Sequence, residues 1–212
     1  MTPRAAVWDK VRGLYGIADA CASDDDPVTL AAQLLAGGCR VIQVRCKRWT
    51  RDDTRHAAIE IRQRCHAVGA LCLINDDAAL AAEVGADGVH VGQLDGDSSA
   101  IRRVLGPERI LGRSTHLPEH IEKALPEADY VAFGPVFSTS NLSVPKPTRG
   151  VDGLRAAAQV LGRRVPLVAI GGLWPHHLPD LQRAGADAWA VIGQIASAED
   201  PTQASRMWAS PS

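Results

Sequence analysis

The sequence is short of the features that mark several large functional classes. Aromatic residues make up 4% of its 212 residues, and its charges almost cancel, at a net −1. With no basic excess there is no electrostatic footprint for nucleic acid, and no nucleic-acid partner is expected. No apolar run approaches the roughly 20 residues of a membrane-spanning helix, so no membrane partner is expected. The opening stretch, MTPRAAVWDKVRG, lacks the apolar segment of a secretory signal, which favours the cytoplasm. The five cysteines (Cys21, Cys39, Cys46, Cys65, Cys72) show no CxxC or Cys/His spacing. That argues against structural zinc, and their odd number argues for reduced thiols over a disulfide framework.

What is present suits one domain. At 46% hydrophobic, the chain can bury a single sizeable core, expected to span 1–212 with 1–12 and 209–212 as loose termini. Eight short apolar runs read as strands: Leu14–Ala18, Arg40–Val44, Leu71–Ile74, Gly88–Val91, Ile110–Gly112, Tyr130–Phe133, Leu167–Ile170 and Ala188–Ile192. A helical pattern follows each, several opening on start signals such as Asp26–Pro27 and Leu117–Pro118–Glu119. A weak repeat recurs before three strands: Gly85-Ala86-Asp87, Glu127-Ala128-Asp129 and Gly185-Ala186-Asp187. Eight strand–helix units over about 200 residues predict an α/β fold, a single (β/α)8 TIM barrel. The rival, a doubly wound open sheet, would usually show fewer strands and a glycine-rich first turn; the first strand here has no GxGxxG.

In such a barrel, function collects at the C-terminal ends of the strands. The second strand ends in QVRCK, where Gln43, Arg45 and Lys47 alternate toward one side and the two cations suit a phosphate. The third ends Asn75-Asp76-Asp77 and the fourth Gln93-Leu94-Asp95. One of Asp76 and Asp77 is expected to cap the next helix. Carboxylates from adjacent strand ends can also hold Mg²⁺ beside a phosphorylated substrate, and Asp76 and Asp95 are the candidate metal ligands. The fifth strand leads to Ser114 and His116, a weak nucleophile signal without a third partner, and His116 could equally cap a helix. A polar loop, Ser138 to Arg149, is long for a barrel. Gly171-Gly172 after the seventh strand and Ile192-Gly193 after the eighth suit a phosphate site built from backbone N–H groups.

In order, the strand-end motifs QVRCK, INDD, GVHVGQLD, GRSTH, GPVFSTSNL and IGGL resemble those of the thiamine phosphate synthase and thiazole tautomerase superfamily from Leu14 to about Trp208. The closer resemblance is to the synthases. It implies a Mg²⁺-dependent condensation of hydroxymethylpyrimidine pyrophosphate with thiazole phosphate, releasing pyrophosphate. By position, Gln43 and Ser114 would touch the pyrimidine, while Arg45, Lys47 and Asn75 would hold the pyrophosphate. Thr139 would meet the thiazole side, and Gly172, Ile192 and Gly193 its phosphate.

Two departures stand out. Cys46 replaces the family's Glu in QxREK, and Leu142 replaces the Lys of TxTK. Lys146 or Arg149, in the same loop, is the candidate replacement cation; Lys146 therefore joins Arg45, Lys47, Ser114 and His116 as a candidate catalytic residue. The missing lysine leaves open a tautomerase acting through His116, or a phosphate-binding barrel without catalysis. Oligomeric state is not legible in the sequence.

Overall fold

The computed structural model describes residues 3–22, 26–139 and 147–209. Its centre is a closed barrel of eight parallel strands in sequential order. These are β1 (Gly13–Asp19), β2 (Val41–Arg45), β3 (Leu71–Asn75), β4 (Gly88–Val91), β5 (Ile110–Thr115), β6 (Tyr130–Phe133), β7 (Leu167–Ile170) and β8 (Ala188–Val191), with β8 pairing back onto β1. The TIM-barrel expectation holds. Several strands run one to three residues past their sequence-based ends, because Arg45, Asn75 and Thr115 stay in extended backbone after the apolar pattern has stopped.

Around the barrel run α2 (Pro27–Ala36), α3 (Arg51–Ala67), α4 (Ala78–Glu83), α5 (Ser98–Leu105), α6 (Pro118–Ala124), α7 (Gly150–Leu161), α8 (Leu178–Arg183) and α10 (Pro201–Ala209). A four-residue helix, α9 (Gly193–Ala196), follows β8 directly. Four of their starts are set by polar caps. Asp26, Thr50, Asp77 and Asp97 each accept a backbone N–H from the first turn of α2, α3, α4 and α5. Asp77 is thus the capping member of the Asp76–Asp77 pair.

The pleat divides the apolar residues into two clusters. One fills the barrel, with Tyr15, Ile17, Val41, Leu73, Tyr130 and Val168 among its members. The other lies between barrel and helices and includes Leu14, Leu34, Ile42, Ile61, Leu111 and Phe133. The first twelve residues, expected to be loose, contain α1 (Pro3–Lys10) instead. Val7 and Val11 are buried in the inner cluster, and α1 contacts β5. Periodicity alone gave little sign of this helix because its apolar residues, Ala5 to Trp8, are consecutive and trace no helical stripe.

The three repeat aspartates share one role. Each bonds the first residue or two of the preceding strand twice. The Asp87 carboxylate accepts from Cys72 N at 2.8 Å, that of Asp129 from Leu111 N at 2.9 Å and that of Asp187 from Leu167 N at 2.9 Å. Each backbone N–H donates to the carbonyl of the same residue, at 2.7–2.9 Å. Asp129 is also paired with Arg102, whose NH2 lies 2.6 Å from its carboxylate, at a largely buried site. Replacing Asp129 by Ala leaves the Leu111 N–H without its carboxylate and takes the buried counter-ion from Arg102, which keeps only the carbonyls of Gly106, Arg109 and Glu127 and the more distant Glu127 carboxylate. The expected loss is about 3 kcal/mol, the range for breaking one side of a buried pair. A urea unfolding curve measures it, and a loss under 1 kcal/mol would mean that the latch is dispensable.

Candidate active site

All eight strands deliver their C-terminal ends to the same rim. On the β2–β4 side the rim is charged. Lys47 Nζ lies 3.3 Å from Asp76 Oδ2, and Asn75 Nδ2 donates to the same oxygen at 2.6 Å. Asp95, on the turn after β4, accepts from Gly92 N at 2.6 Å. Its carboxyl also meets that of Asp76. Burial, and then this hydrogen-bonded neighbour of like charge, raise the Asp76 carboxyl above its ordinary range, while Lys47 pulls it back. Asp76 has a backbone φ of 66°, in the left-handed region, where a non-glycine residue is uncommon and often functional. A cavity of about 340 Å³ opens beside this cluster, lined by Cys46, Lys47, Asn75 and Asp76 among others.

Arg45 is held differently. It forms an ion pair with Asp19 at the end of β1, whose other carboxylate oxygen accepts from Cys21 N at 2.9 Å. Asp19 is 4% exposed, so the guanidinium is anchored in the wall rather than extended into solvent. Asp19 had no assigned part in the sequence reading. Cys46, beside these groups, packs on the outer core. Burial, helped by the Asp19 charge, pushes its thiol up to about 12, so it stays protonated and adds no charge where the family carries a carboxylate.

Across the rim, β7 and β8 end in a cup of about 610 Å³ lined by Ser138, Thr139, Gly171, Gly172, Trp174, Ile192 and Gly193, with others. Gly172 sits at φ +64°, and a Cβ there would fall 2.2 Å from Ser138 O, so both backbone sign and space demand glycine. Thr139, Gly172, Ile192 and Gly193 therefore line one compartment. Trp174 is 48% exposed and lines this cup. Lys146 lies outside the described residues.

Beneath the two compartments, polar side chains cross the barrel. Gln43 Nε2 donates to Tyr15 Oη at 2.7 Å, and the two tyrosine hydroxyls are 2.8 Å apart. Tyr130 Oη lies 2.7 Å from His90 Nδ1, and His90 Nε2 lies 2.8 Å from Ser114 Oγ. Burial drives the His90 imidazole down to about 4, so it is neutral at physiological pH. Gly112 makes room for this line: a Cβ there would fall 2.0 Å from Tyr130 Cζ. The sequence reading picked out both ends of the line, Gln43 and Ser114, and missed its middle. The available signal was Gly112 itself, since a glycine inside a strand marks a close approach. His116 stands apart, with Nδ1 donating to Gly134 O at 2.6 Å and its ring edge-on to His120. It does not cap α6, whose N-cap Leu117 makes no side-chain bond.

Known proteins resemble this chain in sequence and in fold. A family model described as thiamine monophosphate synthase matches residues 14–195. The thiamine-phosphate synthase of Chromobacterium violaceum is 40% identical over 201 residues, covering 93% of this chain and 94% of that protein. That of Caldicellulosiruptor saccharolyticus is 34% identical over 196 residues, covering 92% and 88%. The thiamine-phosphate synthase of a Synechococcus species is 43% identical over 185 residues, but this chain spans only 51% of its length. Among solved structures, a thiamine phosphate pyrophosphorylase from Pyrococcus furiosus superimposes with a TM-score of 0.85 at 29% identity, covering 95% of each chain. With the motifs at the strand tips, the barrel that displays them and a family match over most of its length, the chain belongs to the thiamine monophosphate synthase family.

Proposed function

We propose that this protein is a thiamine phosphate synthase, joining hydroxymethylpyrimidine pyrophosphate to thiazole phosphate with release of pyrophosphate. The observation that carries the reading is the pairing of two unlike compartments on one barrel mouth. The acid-and-cation cluster of β2–β4 suits a diphosphate, and the glycine-lined cup of β7–β8 suits a second phosphate.

In this reading Gln43 and Ser114 hold the pyrimidine at the floor. Lys47, Arg45 and Asn75 bind the pyrophosphate, and their positive charge and N–H groups stabilise the negative charge that grows on the leaving oxygen. Thr139 contacts the thiazole, whose phosphate rests on the backbone N–H groups of Gly172, Ile192 and Gly193. The neutral His90 and protonated Cys46 add no charge near the pyrimidine carbon where positive charge develops. The apolar barrel interior keeps water from that carbon until the thiazole nitrogen attacks.

Asp76 and Asp95 fit Mg²⁺. Two carboxylates pressed together, one with a raised pKa, are what a small divalent cation relieves, and Mg²⁺ commonly takes one or two carboxylates plus substrate oxygens. Bound there, it would neutralise charge on the pyrophosphate. Among the described residues no group of three or more His, Cys, Asp or Glu side chains could hold a metal ion.

Three experiments test this reading. With both substrates and Mg²⁺, thiamine phosphate and pyrophosphate are expected in equal amounts. Isomerisation of a thiazole carboxylate without condensation would favour a tautomerase, and binding without turnover a non-catalytic barrel. Asp95→Ala is expected to lower kcat/KM by 10²-fold or more and to shift the Mg²⁺ titration; an unshifted titration would remove Asp95 from the metal site. His116→Ala is expected to cost under 10-fold, whereas near-complete loss would support the tautomerase reading.

Asp76→Asn separates function from stability. A raised native pKa means that the metal-free fold loses stability as pH climbs from 3.8 through the native Asp76 ionisation. Asn keeps the left-handed backbone and removes the charge. The variant's urea midpoint at pH 7 without metal should match or exceed that of the parent, while Mg²⁺-dependent turnover falls at least 10-fold. A large stability loss would show that the Lys47 contact outweighs the repulsion.

A further inference from the structure

The glycine cup of β7–β8 takes its walls from two separate stretches of chain. One leaves β6: Ser138 and Thr139 line the cup, and beneath them Val136 N and Phe137 N donate to Ile170 O and Gly171 O, each at 2.9 Å. The other leaves β7: Gly172 lies close against Ser138 O, and Trp174 lines the same cup. A single helical turn, Pro175–His177, follows Trp174 and runs into α8. Farther out than these backbone bonds, His177 touches both walls. Its Nδ1 accepts from Trp174 N at 3.1 Å, and its own backbone N–H donates to Trp174 O at 2.9 Å. Its ring stacks on that of Phe137, with centroids 3.9 Å apart and planes 25° from parallel.

The backbone of Trp174 decides the state of this imidazole. A peptide N–H can only donate, so Nδ1 is bare and the ring proton sits on Nε2. A second proton would set N–H against N–H and break the tie. The groups that face the ring are His176 on the same turn, Asp180 on α8 and the uncharged Phe137 from the other wall. Burial, and then His176, hold the imidazole below its ordinary 6.5, against the pull of Asp180. The bare Nδ1 is therefore kept at neutral pH and lost as pH falls below that value. We propose that His177 is a positioning residue for the second substrate: it clamps the Trp174 wall to the Phe137–Thr139 wall and so sets the affinity of the cup for thiazole phosphate. It acts through the backbone, because the two stretches it joins are those that present Gly172 and Thr139. The pyrimidine side is built on β2 to β5, so the effect falls on one substrate. The choice of thiazole phosphate rests on the synthase reading, but the clamp does not.

The test compares wild-type protein with His177→Ala, which removes both ties, and His177→Asn. The Asn Oδ1 takes the place of Nδ1 and accepts from Trp174 N, but the side chain has no ring to stack and no proton to gain. At about pH 8, His177→Ala is expected to raise KM for thiazole phosphate about 10-fold, the order set by one hydrogen bond and one ring contact. The kcat/KM for the pyrimidine pyrophosphate, at saturating thiazole phosphate, should stay unchanged. His177→Asn should recover part of the loss. The ligand's own phosphate ionises near about pH 6 and shifts KM in every protein alike, so the quantity read is wild-type KM divided by that of His177→Asn. This ratio is expected to rise as pH falls below 6.5. A flat ratio, an Ala variant with the parent KM, or an equal loss toward both substrates would overturn the proposal. So would a ¹⁵N spectrum, assigned with His177→Asn, that shows wild-type Nδ1 protonated at about pH 8. Should His177→Ala not fold, the pH ratio and that spectrum decide. If the wild type forms no thiamine phosphate, the synthase reading fails, and the spectrum with a calorimetric titration of thiazole phosphate into each protein still decides the clamp.

Discussion

Parallel closure is the constraint from which the rest follows. Eight strands running the same way and sealing through β8 onto β1 send every strand end to one rim, so residues as far apart in sequence as Asp19 and Gly193 come to the same face. Neither compartment could form on a shorter sheet. The acidic and cationic tips come from β2 to β4, the glycine turns from β7 and β8, and only the closed order sets them face to face.

The same closure creates a problem that the polar line resolves. A barrel interior this narrow must be filled, and large aromatic side chains fill it well, but each phenol brings a hydroxyl that cannot be left unpaired. Tyr15 and Tyr130 meet that demand by bonding one another and then Gln43 and His90. Core packing and the polar floor of the rim thus share atoms, which ties the filling of the barrel to the groups presented above it.

How far the sequence spoke depended on which force placed each residue. Strand count, order and the rim residues were legible because apolar alternation and strand-end polarity are local patterns. Asp77 as the cap was open from sequence alone, since Asp76 satisfies the same local rule; the backbone at Asp76, turned into the left-handed region, decided it. Tyr15, Tyr130 and His90 read as ordinary strand members, because a hydrogen bond across 115 or 40 residues leaves no local trace. Asp19 was hidden for a similar reason: its partner Arg45 lies on the next strand. Helix α1 escaped because its value lies in where Val7 and Val11 land, at the foot of the barrel, and not in a strong amphipathic stripe.

The aspartate latches have a consequence for how this cylinder is fastened. They join β3 to β4, β5 to β6 and β7 to β8, always at the end remote from the rim. Between β1 and β2 the equivalent position is Arg40, whose carbonyl accepts from Leu71 as that of Asp87 accepts from Ile110. That seam is buckled at the opposite end, by Arg45 on Asp19. An incoming anion that draws Arg45 toward itself would therefore act on the one odd-to-even joint whose carboxylate clasp is at the top, a seam that five backbone pairs hold beneath it.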